Sequence, residues 1–226
     1  MEIDYSFENV NSIRVFGSNA RGDSSTYSDF DVLVVLKKSQ TVTRDLELKV
    51  NALFDREISI SWYSESRLKT MFETGHLFAW HLYHESLATC KNDFIELLGK
   101  PEAYKFAEQD IDSLVAILKP IQKAVIDCPR NLIYEAGLLY VCIRNIAISA
   151  LPIIHNKYSF ETDAPFKLNL QMERDKYELL KHARYASTRA VVKPDLDIET
   201  FNLLFQEAEA WALQQLESVK RIMYEN

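Results

Sequence analysis

Short apolar runs separated by polar segments fill the first hundred residues of the chain. Runs of four to eight apolar or alternating residues predict strands, and apolar positions three and four residues apart predict helices. The strands are predicted at residues 12–16, 30–36, 58–63 and 88–90. The helices between them are predicted at residues 43–54, 64–72 and 77–87. Ser64 is the expected N-cap of the second helix, because a serine hydroxyl can accept a hydrogen bond from a free N–H of the first turn.

After residue 100 the period changes to that of helices, and prolines divide the apolar stripes. The helices are predicted at residues 103–125, 131–153, 174–186 and 198–224. Pro120 falls inside the first of them and is expected to kink or end it. The sequence therefore predicts an α+β protein, with a small mixed sheet and flanking helices over residues 1–98 and an all-α bundle over residues 99–226.

Composition and charge narrow the function classes. The 226 residues include 26 Lys and Arg against 33 Asp and Glu, a formal charge of −7, which argues against a protein that coats extended nucleic acid. The acidic N-terminus does not resemble a signal peptide, and charged residues and Pro152 interrupt the most apolar stretch, so no membrane span is predicted. Three cysteines without CxxC spacing suit buried free thiols, and we expect a cytoplasmic protein.

One polar segment stands between the first two predicted strands. It reads Gly17-Ser18-Asn19-Ala20-Arg21-Gly22-Asp23 and continues through Ser28 to Asp29-Phe30-Asp31. Glycine lets the backbone of a turn approach a ligand closely, and free N–H groups with a serine hydroxyl can bind an anion. Arg21 carries a guanidinium that suits phosphate oxygens. The turn is therefore a candidate phosphate site.

Asp29 and Asp31 are spaced i, i+2, which on a strand places both carboxylates on one face. Adjacent carboxylates repel each other unless a cation lies between them, and Mg²⁺ prefers carboxylates together with substrate phosphates. A pair of this kind by itself is most often a solvated strand end. The combination with Gly17-Ser18 and two flanking apolar strands is more specific and predicts a phosphoryl-transfer site.

Residues 16–36 resemble the signature of the DNA polymerase beta-type nucleotidyltransferases, and most closely that of the small bacterial and kanamycin nucleotidyltransferases. The resemblance implies that Gly17 and Ser18 hold a nucleoside triphosphate, with Arg21 and Ser28 supporting the phosphates or the loop. It also implies that Asp29 and Asp31 bind Mg²⁺, for which Mn²⁺ could substitute. An acceptor hydroxyl would attack the α-phosphate and release pyrophosphate. The helical second half fits the layout of the kanamycin enzymes, in which such a region supports dimers.

The third acidic residue of that family is expected on the next strand, and here the sequence departs from the pattern. Glu57 lies on the same face of the strand as Ser59 and Ser61, but it stands at the start of the strand. The position expected from the kanamycin enzymes falls on Ser59. Glu57 is the candidate third catalytic carboxylate. If Ser59 occupies the place instead, the protein is a weak or inactive member, or it recruits a carboxylate from elsewhere.

Two further polar features interrupt apolar helices. His81 and Glu85 are spaced i, i+4 and share a helix face, which predicts a structural hydrogen-bonded pair, with acceptor binding as the alternative. Arg144 lies in an apolar helix, where a buried charge needs a partner, and a carboxylate is expected beside it.

The leading hypothesis is a metal-dependent nucleotidyltransferase that moves AMP from ATP to a hydroxyl of a small-molecule or protein acceptor. A second hypothesis is a catalytically weak or inactive nucleotide-binding protein that neutralises a toxin partner. A helical scaffold with a small sheet cap is the third, and the cluster from Gly17 to Asp31 argues against it.

Overall fold

The computed structural model describes residues 7–24, 29–90, 93–189 and 191–225. They form an α+β protein whose sheet lies in the first part of the chain and whose later helices form a bundle, as predicted. The chain divides into two compact units, Met1–Lys105 and Phe106–Asn226.

The first unit contains a mixed four-stranded sheet in the order β3-β2-β1-β4. Its strands are β1 (Val10–Phe16), β2 (Asp31–Leu36), β3 (Ser59–Ser64) and β4 (Ser86–Ala88). β1 is antiparallel to both β2 and β4, whereas β2 and β3 are parallel. The predicted edge strand exists, but it begins at Ser86 because Phe16 pairs with Ser86, so β4 follows the preceding helix directly.

Five helices accompany the sheet in the described part of this unit. They are α1 (Ser18–Arg21), α2 (Arg44–Asn51), α3 (Glu65–Glu73), α4 (Leu77–Glu85) and α5 (Phe94–Leu98). Ser64 caps α3 as predicted, since its hydroxyl accepts a hydrogen bond of 3.2 Å from the amide of Arg67.

Both faces of the sheet are covered, which explains why β2 is apolar at nearly every position. Val32, Val34 and Leu36 belong to one buried cluster together with Leu46 and Val50 of α2. Leu33 and Val35 point to the other face and join a second cluster, which α3 and α4 complete. Asp31 is the one charged residue of β2, and it stands at the strand end where the candidate site lies.

A buried polar network ties β1 to β4 and α5. Nη1 of Arg14 lies 2.6 Å from Oδ1 of Asp93, and the two side chains are only 7% and 0% exposed. Arg14 also donates to the hydroxyl and the carbonyl of Ser86, at 2.8 and 3.0 Å. Asp93 in turn caps α5 by accepting from the amide of Ile95. The ion pair therefore fixes the edge strand against the centre of the sheet.

The described residues of the second unit form helices and connecting segments, with no strand among them. Its helices are α6 (Ala107–Leu118), α7 (Ile121–Asp127), α8 (Leu132–His155), α9 (Arg174–Thr188) and α10 (Ile198–Glu225). Pro120 ends the first predicted helix, so α6 and α7 replace it, as expected. Residues 101–105 belong to the first unit, where the carbonyl of Glu102 accepts a hydrogen bond from Nε1 of Trp80. The boundary between two domains that the sequence predicted after residue 98 remains a prediction.

α8 is the central helix of this bundle and packs against α6, α9 and α10. Among the described residues, the stretch Pro129–Ile154 is long and apolar enough to cross a membrane by length and composition, but 67% of its most apolar window is buried inside the protein. Gly137 allows α9 to come close, since a Cβ there would stand 2.8 Å from the Cα of Arg184. Burial in a bundle accounts for the apolar character of α8.

The expectation of a carboxylate beside Arg144 is wrong. Nη2 of Arg144 donates to the carbonyl of Phe160 at 2.6 Å, and the described chain gives it no carboxylate. A backbone carbonyl is a sufficient acceptor for a guanidinium hydrogen bond. The three cysteines are free thiols, but only Cys142 is buried, whereas Cys128 is exposed.

Candidate active site

The chain makes a sharp turn where β1 ends. Gly17 has φ +72° and ψ −149°, a backbone conformation that only glycine adopts readily. Its carbonyl accepts from the amides of Ala20 and Arg21, both at 3.1 Å, which closes the single turn of α1. Gly22 ends that turn with φ +82°. Two of the few glycines thus bracket the segment predicted to approach phosphate.

The turn and the second strand meet at Gly17 and Asp31. Asp31 begins β2 and pairs with Phe16, the last residue of β1. A Cβ built on Gly17 would stand 3.0 Å from Oδ2 of Asp31, closer than ordinary van der Waals contact. The carboxylate of Asp31 therefore lies against the Gly17 backbone, so that the positive φ favours glycine at residue 17 and a larger residue there would also have to displace the Asp31 side chain.

Asp29 is held in a different way. It is exposed and lies two residues before β2 begins, so only Asp31 of the pair is part of the strand. The side chain of Asn19 donates to the carbonyl of Asp29 at 2.7 Å and so ties α1 to the loop before β2. The role of Asn19 was not predicted from the sequence. Its position between Ser18 and Ala20, inside the polar segment, was the one feature that could have indicated it.

The parallel pairing of β2 with β3 decides which residue stands beside Asp31. The register places Ser59 opposite Asp31, and the amide of Ser59 donates to the carbonyl of Phe30 at 2.9 Å. Glu57 is exposed and precedes the strand. Within the described ranges, no three His, Cys, Asp or Glu side chains come together as a metal-binding group. The catalytic role of Glu57 stays a prediction.

Arg21 is engaged within the protein. Its Nη1 lies 2.5 Å from Oε2 of Glu85, and its Nε lies 3.1 Å from Oδ1 of Asp23. Burial alone lowers the pKa of the guanidinium, but the hydrogen bonds and charges of Glu85 and Asp23 outweigh burial and raise the pKa. His81 approaches the same carboxylate, with Nε2 3.3 Å from Oε2 of Glu85, as the shared helix face predicted.

Ser18 is the first residue of α1 and is half-buried beside Gly17. Ser28, the other predicted nucleotide-binding serine, lies outside the described residues. The structure thus brings Gly17, Ser18 and Asp31 to one place and ties Asp29 to it through Asn19.

Residues 4–108 match the family model described as the nucleotidyltransferase domain. These residues are a nucleotidyltransferase domain. The match covers the sheet with its five helices and extends to the start of α6, and no curated protein matches the chain. The polymerase beta-like superfamily expected from residues 16–36 is confirmed for this part of the chain.

The donors of the nucleotidyltransferase domain fit Mg²⁺. Asp29 and Asp31 offer hard carboxylate oxygens, and Mg²⁺ is commonly held by one or two carboxylates together with substrate phosphates and water. The fit does not depend on a third carboxylate at Ser59. Within the domain, Asp31 is the better positioned donor, because the strand pairing and the Gly17 turn fix its place.

Proposed function

We propose that this protein is a Mg²⁺-dependent nucleotidyltransferase that transfers AMP from ATP to a hydroxyl of an acceptor and releases pyrophosphate. The nucleotidyltransferase domain over residues 4–108 supports nucleotidyl transfer in general. The observation that carries the finer proposal is the approach of Oδ2 of Asp31 to the Gly17 turn. It puts a carboxylate and a glycine backbone turn at one end of the sheet.

In this proposal Gly17 and Ser18 form the triphosphate site, because a glycine without a side chain lets phosphate approach the turn closely and the Ser18 hydroxyl can donate a hydrogen bond to a phosphate oxygen. Asp29 and Asp31 would hold Mg²⁺, with Mn²⁺ as a substitute. When bound, the metal supplies positive charge that stabilises the attacking and leaving oxygens. Asn19 holds the backbone of Asp29 in place through its hydrogen bond to the Asp29 carbonyl.

The chemical step is an in-line displacement at the α-phosphorus. A bond forms between the acceptor oxygen and the α-phosphorus, and the bond from that phosphorus to the bridging oxygen of the β-phosphate breaks. Pyrophosphate leaves with that bridging oxygen, and the acceptor's hydroxyl proton passes to solvent. The protein's main contribution is to orient the two reactants, which is the larger part of catalysis in phosphoryl transfer.

The proposed acceptor is a small molecule or a protein hydroxyl. The formal charge of −7 disfavours extended nucleic acid and suits a cationic small molecule such as an aminoglycoside. We further propose a cytoplasmic homodimer, by analogy with the kanamycin-type layout of a nucleotidyltransferase domain followed by helices. Sedimentation of the purified protein tests the dimer.

One observation favours a second candidate, a nucleotide-binding partner protein with weak or no catalysis. Ser59 stands opposite Asp31, where the family is expected to carry its third carboxylate. A serine hydroxyl cannot supply the charge of a carboxylate to a metal. Such a protein would bind ATP and transfer little or nothing.

The experiment is incubation with ATP labelled at the α-phosphate, Mg²⁺ or Mn²⁺, and a panel of aminoglycosides, proteins and tRNA. The double variant Asp29→Asn/Asp31→Asn is expected to abolish transfer. The matched control is Asp45→Asn/Asp55→Asn, which removes the same charge from two exposed aspartates of the same unit.

Transfer that survives Asp29→Asn/Asp31→Asn would refute the site assignment. ATP binding in calorimetry without transfer to any acceptor supports the second candidate, and the absence of ATP binding by the wild-type protein would overturn both.

A further inference from the structure

Glu85, the last residue of α4, contacts the Gly17 turn at two points. Its backbone carbonyl accepts from the amide of Gly17 at 3.2 Å, where the turn begins. Its carboxylate lies 2.5 Å from Nη1 of Arg21, where α1 ends. A single residue thus holds both ends of the segment from Gly17 to Arg21.

The ion pair between Arg21 and Glu85 is largely shielded from water. The two side chains are 13% and 11% exposed, whereas the other partner of Arg21, Asp23, is 44% exposed. His81 lies one turn earlier on α4 and brings Nε2 to 3.3 Å from the same oxygen of Glu85. Its ring also packs edge-on against Phe16, with centroids 5.6 Å apart. The carboxylate is therefore enclosed between α1, α4 and the end of β1.

Arg21 is consequently a poor candidate for a phosphate contact. Turning its guanidinium toward a nucleotide would take Nη1 from Glu85 and leave a shielded carboxylate without its closest cation. Breaking a buried pair in this way is strongly unfavourable, because the remaining charge is not compensated. Asp23 holds the other side of the guanidinium through Nε and would also lose its partner.

We propose that Glu85 and Arg21 are positioning residues that clamp the Gly17 turn, and that neither contacts the nucleotide. The clamp keeps Gly17 in its positive-φ conformation and keeps Asp31 seated against it. Its effect on nucleotide affinity rests on the proposed function, whereas the clamp itself does not. The alternative is that Arg21 leaves Glu85 and binds phosphate directly.

The first arm of the test needs no nucleotide. In ¹⁵N-labelled protein, NMR measures hydrogen exchange at the Arg21 side chain in the wild type and in Glu85→Gln. The clamp predicts slow exchange in the wild type and exchange at least about ten-fold faster in the variant, because a guanidinium paired with a shielded carboxylate opens rarely. The control is Glu73→Gln, which removes an exposed carboxylate paired with Lys69 on α3.

The second arm is a double-mutant cycle read by calorimetry with ATP and Mg²⁺. The clamp predicts that Arg21→Gln, Glu85→Gln and the double variant all weaken binding by a similar factor, about ten-fold, since either change breaks the same pair. Urea unfolding of each variant establishes that it folds.

A direct phosphate contact predicts a different pattern and would overturn the proposal. Arg21→Gln would then weaken ATP binding, whereas Glu85→Gln would leave ATP affinity unchanged or raise it by freeing the guanidinium. Exchange at Arg21 that is equally fast in the wild type and in Glu85→Gln would also overturn it. If the wild type binds no ATP, the proposed function fails, and the exchange measurement still decides the clamp.

Discussion

The carboxylate of Asp31 occupies the space that a side chain on Gly17 would need, with Oδ2 3.0 Å from an ideal Cβ. Gly17→Ala should therefore displace Asp31 as well as strain the turn. We expect a loss of about 1–3 kcal/mol in the free energy of unfolding. ATP affinity measured by calorimetry should fall at least about ten-fold, because the binding turn and the proposed metal ligand move together.

Gly99 provides a matched control for this substitution. It has φ +70° and ψ −147°, nearly the same backbone conformation as Gly17, and nothing lies within 4 Å of a Cβ built there. Gly99→Ala should cost a similar conformational strain and leave ATP affinity unchanged. Equal loss of ATP binding in the two variants would contradict the role of the contact between Gly17 and Asp31.

Asn19→Ala removes the hydrogen bond that ties α1 to the backbone of Asp29. We expect a loss of about 1 kcal/mol in stability and about five-fold weaker binding of ATP with Mg²⁺, since one neutral hydrogen bond is of that size. Asn51→Ala is the control, because Asn51 also donates to a backbone carbonyl, that of Glu47, at 2.8 Å. It should change stability alone. A variant of Asn19 with wild-type affinity would show that the tether does not position Asp29.

Ser59→Asp places a carboxylate opposite Asp31 across the parallel pair. Since added ligand charge strengthens the binding of hard cations, we expect Mg²⁺ affinity to rise about ten-fold and any transfer activity to rise with it. Titration of Mg²⁺ against the apo protein, followed by calorimetry, measures the change. Ser66→Asp, at an exposed position on α3, carries the same added charge and should leave Mg²⁺ affinity unchanged. A fall in affinity on Ser59→Asp would show that residue 59 lies outside the metal site.

The stability of the first unit should depend on Glu85 in a pH-dependent way. Burial alone raises the pKa of this carboxyl, but His81 and Arg21 outweigh burial and hold the pKa below its ordinary value of 4.5. A depressed pKa in the folded state means that ionised Glu85 stabilises the protein above the unfolded pKa and loses this effect as pH falls through the folded one. The difference in unfolding free energy between wild type and Glu85→Gln should be full above about pH 5 and shrink at lower pH. A constant difference down to pH 3 would contradict it.

The buried pair of Arg14 and Asp93 should matter for stability far more than exposed pairs do. Asp93→Asn preserves an acceptor for the α5 cap but leaves the Arg14 charge uncompensated, so we expect a loss of about 3–5 kcal/mol in urea unfolding. Asp45→Asn, which breaks an exposed pair with Lys49, should cost less than about 1 kcal/mol. Similar losses in the two variants would show that water reaches Arg14 in solution.

The strands, most of the helices and the residues of the Gly17 turn could be predicted, because apolar periodicity reports burial directly. The register between β2 and β3 could not. Strand side chains repeat every two residues, so Glu57 and Ser59 have the same parity and either could stand beside Asp31. Only the pairing in three dimensions selects Ser59.

The hydrogen-bond and ion-pair partners of the long cationic side chains could not be predicted from the sequence either. Arg21 could reach either phosphate or a carboxylate, and its closest acceptor, Glu85, is 64 residues away along the chain. Arg144 was expected to pair with a carboxylate but donates to the backbone carbonyl of Phe160. Every residue has a backbone carbonyl, so the residue types along the chain do not indicate which one will be used. Such choices depend on which acceptors the fold brings within reach of a flexible side chain.

The separation of Arg21 from Glu85 has a consequence for folding. Closing a loop of 64 residues has a larger entropic cost than the more local pairing of β1 with β2. A chain that ended after β3 would contain Asp29, Asp31 and the Gly17 turn. It would lack Glu85, the residue that holds both ends of the turn. Under the proposed function we expect nucleotide affinity to appear late in refolding, when α4 and β4 dock on the sheet, so that it marks the completion of the first unit.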